Sequence, residues 1–224
     1  MRYMICVLFL LLPAVAAAEI VHVGATDPAT EGWYVWSGTS GYAGDDCWIT
    51  DTWGHSQWRP VIAPSAADFA GDWFLIVDCR WVAGPKAESR ATIFDGFRSK
   101  SVAFTWDATA AYYYQAGAGD TVLPGVDPTI RHEYRLDYTD ADATMAISVD
   151  GVPLVQMESY QQNDTAGQYM LYFGDNNSAA VRSTMEWYGV GFNAVPSAIP
   201  EPAALVLLVI AVAGIVVYAW RRSR

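Results

Sequence analysis

Cysteine, histidine and basic side chains are scarce in this chain. Its 224 residues include three cysteines, three histidines and 13 lysines and arginines, against 24 aspartates and glutamates. No Cys-x-x-Cys pair occurs and the histidines are scattered, which argues against a zinc site. The net charge of −11 indicates an acidic surface that repels phosphate backbones, so we expect no nucleic acid partner.

Several common catalytic motifs are also missing. The chain has no Gly-x-Ser-x-Gly elbow, no His-Glu-x-x-His motif and no glycine-rich phosphate loop. Outside the two ends, no apolar stripe with a helical period extends over any length. These absences favour an all-β body and weaken the case for an enzyme.

The N-terminus has the layout of a secretory signal peptide. Arg2 supplies a positive charge, Met4 to Leu12 form an apolar segment, and Ala16-Ala17-Ala18 provide a small-residue cleavage site. We therefore predict a signal peptide over residues 1–18, removed by signal peptidase. An uncleaved N-terminal anchor is the alternative.

The C-terminus predicts a membrane anchor. An uncharged apolar run covers residues 203–220, which is roughly 27 Å of helix and close to the thickness of a bilayer core. Arg221, Arg222 and Arg224 follow, and a cluster of arginines marks the cytoplasmic side, in a basic tail over residues 221–224. We expect a transmembrane helix with the bulk of the chain on the outer face.

A linker over residues 196–202 precedes this helix and ends in Pro200-Glu201-Pro202. This tripeptide, the apolar helix and the arginines together resemble the PEP-CTERM sorting domain, with Ile199 where Val is usual. The resemblance implies recognition of Pro200, Glu201 and Pro202 by an exosortase of a Gram-negative bacterium. It also implies display at the cell surface or in the extracellular matrix. An ordinary anchor with a proline-rich stalk is the alternative.

The body, residues 19–195, reads as an antiparallel β-sandwich. Short runs with period-2 alternation are separated by turn clusters about every ten residues. Asp150-Gly151 predicts a tight hairpin turn, and the region from Asp68 to Phe74 has room for one helical turn.

The order of these pieces resembles concanavalin A-like and laminin G-like sandwiches (a jelly roll). Met145 to Leu154 is similar to their central hairpin, and Trp187-Tyr-Gly-Val-Gly-Phe192 is similar to their final strand. The resemblance implies that this final strand pairs beside the first one, which we predict at residues 32–37.

No string of the Glu-x-Asp-x-x-Glu type, which the β-glucanases of this fold carry, occurs in the chain. Glu133 and Asp137 are interpreted as a solvent-facing charge ladder with neighbouring arginines, and Glu186 as an outward polar position. We therefore predict a non-enzymatic surface or matrix protein for which polysaccharide binding is a candidate function. The alternatives are a glycoside hydrolase of the concanavalin A-like class and a purely structural envelope component.

Aromatic residues are the candidates for binding a sugar, because their rings stack on the apolar faces of sugars and suit half-wet positions. Core packing is the alternative for each of them. The candidates lie in the loop-like segment 44–59 and in one short aromatic run: Trp48, Trp53, Trp58, Tyr112, Tyr113 and Tyr114.

Two further sites are weaker candidates. Cys47 and Cys79 remain after removal of the signal peptide, and export predicts a disulfide between them; two free buried thiols are the alternative. No cofactor is indicated except Ca²⁺, for which Asp175 and Asn176, or Asp45 and Asp46, could supply oxygens. Ordinary turn chemistry explains the same residues.

Overall fold

The computed structural model describes residues 20–38, 41–53, 55–69, 71–84, 89–95, 100–115, 119–157, 170–176 and 182–193. The predicted signal peptide, the Pro200-Glu201-Pro202 motif, the helix at 203–220 and the arginine tail lie outside these residues. Within the described ranges, no helix has the length and apolar character needed to cross a bilayer.

The described chain is built from antiparallel strands in two sheets, as the alternating sequence patterns predict. The eight-stranded sheet contains, in order, β13 (Val152–Met157), β12 (Thr144–Val149), β11 (His132–Thr139), β6 (Trp73–Ala83), β15 (Arg182–Phe192), β4 (Trp48–Trp53) and β3 (Tyr42–Ala43), with β1 (Ile20–Val23) also paired to β15. The seven-stranded sheet contains β10 (Gly119–Val122), β9 (Ala111–Gln115), β8 (Lys100–Trp106), β7 (Ser89–Asp95), β14 (Met170–Asn176), β5 (His55–Pro60) and β2 (Trp33–Gly38). The prediction of an all-β antiparallel sandwich is confirmed.

Aromatic side chains fill the space between the sheets. Phe173 of the seven-stranded sheet lies 5.3 Å, centroid to centroid, from Trp187 of the eight-stranded sheet, and both are fully buried. Trp187 in turn meets Trp106 edge to face at 5.8 Å. Such pairs add to the stabilisation that comes from burial alone, so the high tryptophan content of this chain is largely explained by its core.

The N-terminal strand differs from the expectation. The final strand does not pair with residues 32–37, which form β2 in the other sheet beside β5. The strand that pairs with the end of β15 is β1, with Ile20 opposite Phe192 and Val23 opposite Gly189. The buried His22 of β1 stacks on Phe173, and its Nδ1 lies 2.6 Å from Oε2 of Glu31, so a short strand with an inward-facing histidine closes this part of the core.

The predicted hairpin turn is present in the structure. Asp150 and Gly151 have φ angles of 51° and 74° and connect β12 to β13, which confirms the predicted tight hairpin. A 3₁₀ helix at Ala66–Phe69 overlaps only the start of the region 68–74 where a helical turn was expected, and another lies at Pro28–Glu31.

The predicted Cys47–Cys79 disulfide is wrong, because both thiols are free and buried. Trp187 of β15 pairs with Trp48 on one side and with Cys79 on the other. Two strand spacings are about 10 Å, whereas a disulfide joins Cα atoms less than about 7 Å apart. Cys79 also faces the core, while Cys47 lines a pocket on the outer side of the sheet.

Candidate functional site

The outer side of the seven-stranded sheet carries a group of aromatic residues around an arginine. Tyr34 is the register partner of Arg59, and the pairing of Phe173 with Trp58 places Tyr172 on the other side of Arg59. We call this surface the aromatic face. It comprises Tyr34, Trp36, Arg59 and Tyr172 near the β2 edge, and Tyr112 and Tyr114 on β9, four strands away from the strand of Arg59.

The β2 edge of the aromatic face is open to solvent. Trp36 is 52% exposed and Tyr34 is 41% exposed, which is unusual for such large rings. The guanidinium carbon of Arg59 lies 3.7 Å from the centroid of the Trp36 ring and 5.6 Å from that of Tyr172. The edge therefore presents two accessible rings beside an ordered positive charge.

The centre of the face is built from small residues. Ala103 and Thr105 alternate with the core residues Phe104 and Trp106 along β8, so they lie on the outer side. Thr105 is fully buried, and its Oγ1 has no hydrogen-bond partner within the described part of the chain.

Two of the aromatic residues predicted to bind a ligand occupy the core instead. Trp48 and Trp58 are 5% and 2% exposed and meet edge to face, so the prediction is wrong for both. Tyr113 also packs in the core. Trp53 lies in β4, and its side chain is outside the described structure.

The remaining two predicted tyrosines do lie on the aromatic face. Thr105 pairs with Tyr112, and Ala103 pairs with Tyr114. Tyr112 is only 8% exposed and its hydroxyl donates to Oδ2 of Asp107 at 2.9 Å, while Tyr114 is half-buried. Tyr34, Trp36, Arg59 and Tyr172 were missed, although two aromatics on alternate positions of one strand were a usable signal.

A second candidate site lies on the outer side of the eight-stranded sheet. A cavity of about 290 Å³ is lined by Cys47, Arg80, Glu186 and Tyr188, together with the turn at Gly44–Asp46 and Ile49. Arg80 Nη2 and the Tyr188 hydroxyl each donate to Glu186 at 2.6 Å. A register shift between Trp187 and Gly189 makes Tyr188 a bulge residue, and such irregularities often re-aim a side chain near a site.

The electrostatics of this pocket keep its carboxyl group ionised. Burial disfavours the charged form of Glu186, but hydrogen bonds from Arg80 and Tyr188 outweigh it and lower the pKa of the carboxyl group. Burial, helped by Glu186 and Asp46, raises the pKa of Cys47 to about 11. The pocket therefore holds a carboxylate beside an unreactive thiol.

The charge ladder on the same sheet is confirmed. Arg135 donates to both carboxylate oxygens of Asp137, and Arg131 donates to both oxygens of Asp78. Glu133 is exposed on this outer surface, in keeping with a solvent-facing role.

Calcium gains no support from the residues that the structure describes, which contain no group of three potential metal-binding side chains. The backbones of Asp175 and Asn176 extend β14 beside Ser56 and His55, where a turn had been expected. Their side chains are outside the described structure.

Solved structures with a similar fold include several carbohydrate-active proteins. The apo Crh5 transglycosylase is similar with a TM-score of 0.56 at 16% identity, covering 81% of this chain and 87% of its own. A native glycosidic hydrolase has a TM-score of 0.54 at 13% identity, covering 82% and 98%. The carbohydrate recognition domain of Emp47p has a TM-score of 0.51 at 11% identity, covering 79% and 96%. No protein-family model and no curated protein matches the sequence.

At these identities the likeness establishes the fold alone. It nevertheless corrects the prediction of a non-enzymatic protein, because a transglycosylase and a glycosidic hydrolase are built on the same sandwich. The absence of the Glu-x-Asp-x-x-Glu string was too narrow a criterion, since it tests for one catalytic arrangement only.

Proposed function

We propose that this protein is a carbohydrate-active sandwich of the concanavalin A-like class that binds a polysaccharide on its aromatic face. The observation that carries the proposal is the exposure of Trp36 and Tyr34 side by side on the outer side of a rigid sheet. Exposed rings offer a stacking surface for sugars, and their ordering by Arg59 reduces the entropy that binding must overcome. The fold shared with glycan-binding and glycan-processing proteins supports the same conclusion.

A polysaccharide binding assay tests this proposal. Affinity electrophoresis of the purified full chain against a panel of neutral and acidic polysaccharides should identify at least one retarding glycan. Trp36→Ala should weaken that retardation at least about fivefold, if the lost stacking contact is worth roughly 1–3 kcal/mol, as it is for bases stacked on aromatic side chains. Tyr42→Ala is the matched control, because Tyr42 is 53% exposed on the opposite sheet and should have no effect. Equal losses in both variants would refute the assignment of the face.

Cleavage or transfer of a glycosidic bond is a second candidate function, at the Glu186 pocket. The pocket fixes an ionised carboxylate between Arg80 and Tyr188, which suits a nucleophile or a base. Asp46 lines the same cavity and could act as its partner.

Release of new reducing ends, or exchange of a labelled acceptor sugar, measures this activity. Glu186→Gln should abolish the signal, whereas Glu133→Gln, an exposed carboxylate of the same sheet, should leave it intact. Retention of turnover in Glu186→Gln would exclude the pocket as the catalytic centre.

We also propose that the protein is exported and sorted by an exosortase. Support comes from the signal-peptide layout at residues 1–18, the Pro200-Glu201-Pro202 motif, and the apolar run with its arginines. Signal peptidase, exosortase and the inner membrane would be its partners during export. Mass spectrometry of the surface form should show a new C-terminus near Pro200-Glu201-Pro202. A surface form that still ends in Arg224 would contradict the sorting step.

A further inference from the structure

The loop between β5 and the 3₁₀ helix at Ala66–Phe69 carries two adjacent aliphatic side chains in solvent. Ile62 is 77% exposed and Val61 is 64% exposed, the two highest values among the large apolar side chains that the structure describes. Single exposed apolar residues are common on protein surfaces, whereas neighbouring ones form a patch that is stabilised by contact with another apolar phase. The loop is therefore a candidate docking element.

Hydrogen bonds hold this loop in place at both ends. The Val61 amide donates to the carbonyl oxygen of Gly32 at 2.7 Å, and the amide and hydroxyl of Ser65 donate to Oδ2 of Asp68 at 2.7 and 2.8 Å. Pro64 is buried directly before Ser65 and fixes one backbone angle of the loop. Because an ordered loop presents the aliphatic pair, little further conformational entropy is lost when the pair binds.

The loop lies at the end of the sandwich where the last strand finishes. The 3₁₀ helix that follows the loop places the Phe69 ring 4.9 Å, centroid to centroid, from Phe192 at the end of β15. Asn193 is tied to the same helix, because its Nδ2 donates to the carbonyl oxygen of Asp68 at 3.0 Å. The chain therefore leaves the sandwich beside the helix that borders the aliphatic pair.

Only a short segment separates this point from the apolar run at residues 203–220. Residues 194–202 span at most about 32 Å when fully extended. If the apolar run anchors the chain as proposed, it keeps this end of the sandwich close to the bilayer, and the local concentration of lipid around the loop is high. Two aliphatic side chains that bind a membrane only weakly by themselves then suffice for a persistent contact.

The charges at this end of the sandwich indicate the kind of lipid. Asp72, directly before β6, and Asp142, in the turn between β11 and β12, are both exposed. The two turns are joined, since the Asp140 amide donates to Oδ1 of Asp72 at 2.8 Å. Carboxylates near a bilayer repel anionic headgroups, whereas a zwitterionic headgroup carries no net charge.

We propose that Val61 and Ile62 form a docking tip that inserts into the interfacial region of a zwitterionic phospholipid bilayer. The tip lies beside the point where the chain leaves toward residues 203–220, so the tip and the anchor contact the same membrane. This inference rests on the proposed anchoring of the chain and adds an orientation of the sandwich on the membrane. It does not depend on the binding of a polysaccharide.

Photo-crosslinking to lipid tests the inference. The purified full chain is reconstituted in phosphatidylcholine vesicles with p-benzoylphenylalanine in place of Ile62, and lipid adducts are quantified by mass spectrometry. The matched control carries the same probe in place of Val82, which is 43% exposed at the opposite end of β6. The Ile62 probe should give at least about tenfold more lipid adduct than the Val82 probe, because burying a side chain of this size shifts its partition by about that factor.

Two further changes test the chemistry of the contact. Val61→Ser should lower the adduct yield of the Ile62 probe at least about fivefold, since it removes half of the apolar tip. Val122→Ser, at a valine that is 51% exposed on β10, should leave that yield unchanged. Replacing half of the phosphatidylcholine by phosphatidylglycerol should lower the yield at low salt, and an undiminished yield would overturn the preference for zwitterionic lipid.

A third probe, in place of Leu208 in the apolar run, reports on the anchor alone. Lipid adducts from the Leu208 probe, together with equal yields from the Ile62 and Val82 probes, would overturn the inference and leave the anchor standing. If the Leu208 probe gives no lipid adduct, the anchor and the inference both fail. Crosslinks from the Ile62 probe to a second copy of the chain instead of lipid would also overturn the inference, because the loop would then be a dimer contact.

Discussion

At the scale of single residues, the two cysteines of the body show how one sheet creates two separate chemical environments. Cys79 lies in the aromatic core, where burial raises the pKa of its thiol well above the usual value. Cys47 is only 4% exposed on the other side of the sheet, beside Glu186. Both thiols are therefore protonated and shielded, and the sheet between them prevents a disulfide.

We predict that both thiols stay reduced and react slowly even after exposure to oxidant. Alkylation requires the thiolate, which is scarce at pH 8 when the pKa of Cys47 is about 11. Iodoacetamide labelling of Cys47 and Cys79, read by peptide mass spectrometry, should be at least about tenfold slower in the native protein than in urea. Rapid labelling of the native protein, or a Cys47–Cys79 linked peptide, would contradict this prediction.

A single polar residue that faces inward also explains why part of the core was not predicted from the sequence. Thr50 faces inward in β4 because its Oγ1 accepts a hydrogen bond at 2.9 Å from the buried indole of Trp187. Ile49 and Asp51 lie on the outer side of β4, so an apolar residue faces out where a polar one faces in, and the sequence does not alternate regularly. The segment 44–59 therefore looked like a loop, and Trp48 and Trp58 looked like exposed loop aromatics.

At the scale of the elements, one glycine allows β14 and β5 to pair under the aromatic face. Gly174 has a φ angle of 111°, and a Cβ atom at this position would lie 2.0 Å from the carbonyl oxygen of Ser56. Gly174 pairs with Gln57 of β5, next to the strand position of Arg59. The position of the arginine thus depends on a backbone approach that only glycine permits.

We predict that Gly174→Ala destabilises the protein by about 2–5 kcal/mol, because it adds a backbone clash to an unfavourable φ angle. Gly125→Ala is the matched control: its φ angle is 74°, but no atom lies within 4 Å of the added methyl group, so only about 1–2 kcal/mol should be lost. Urea unfolding followed by tryptophan fluorescence measures both. Similar losses in the two variants would show that the contact with Ser56 is relieved at little cost.

Local elements of this fold follow from the sequence, whereas strand partners do not. The Asp150-Gly151 hairpin and the alternation of β11 depend on neighbouring residues and were predicted correctly. The assignment of residues 33–38 to the seven-stranded sheet depends on distant contacts, such as the T-shaped packing of Trp33 on Phe173. For the same reason the aromatic face was only half predicted: its β9 tyrosines were identified, but the β2 edge and Arg59 come together only through pairing.

At the scale of the whole molecule, the two outer surfaces differ in the described side chains that they carry. Four arginine–carboxylate pairs lie on the outer side of the eight-stranded sheet: Arg80–Glu186, Arg131–Asp78, Arg135–Asp137 and Arg182–Asp51. The aromatic face lies on the opposite side of the sandwich. Among the described residues, paired charges therefore lie on one outer surface and the exposed rings of Trp36 and Tyr34 on the other.

We predict that the free energy of unfolding falls as the pH drops below about 4. Hydrogen bonds from Arg182 lower the pKa of Asp51. Burial opposes the ionisation of Asp150, but hydrogen bonds from His132 and from the Glu133 amide outweigh burial and lower its pKa. A lowered folded-state pKa means that the unfolded chain binds more protons in this range, so acid favours unfolding. Urea titrations at successive pH values should show the decline. Asp150→Asn, which keeps an amide acceptor in the turn but cannot ionise, should make it shallower, with Asp51 responsible for part of what remains. Stability that stays level between pH 5 and 3 would show that these carboxylates are not linked to folding.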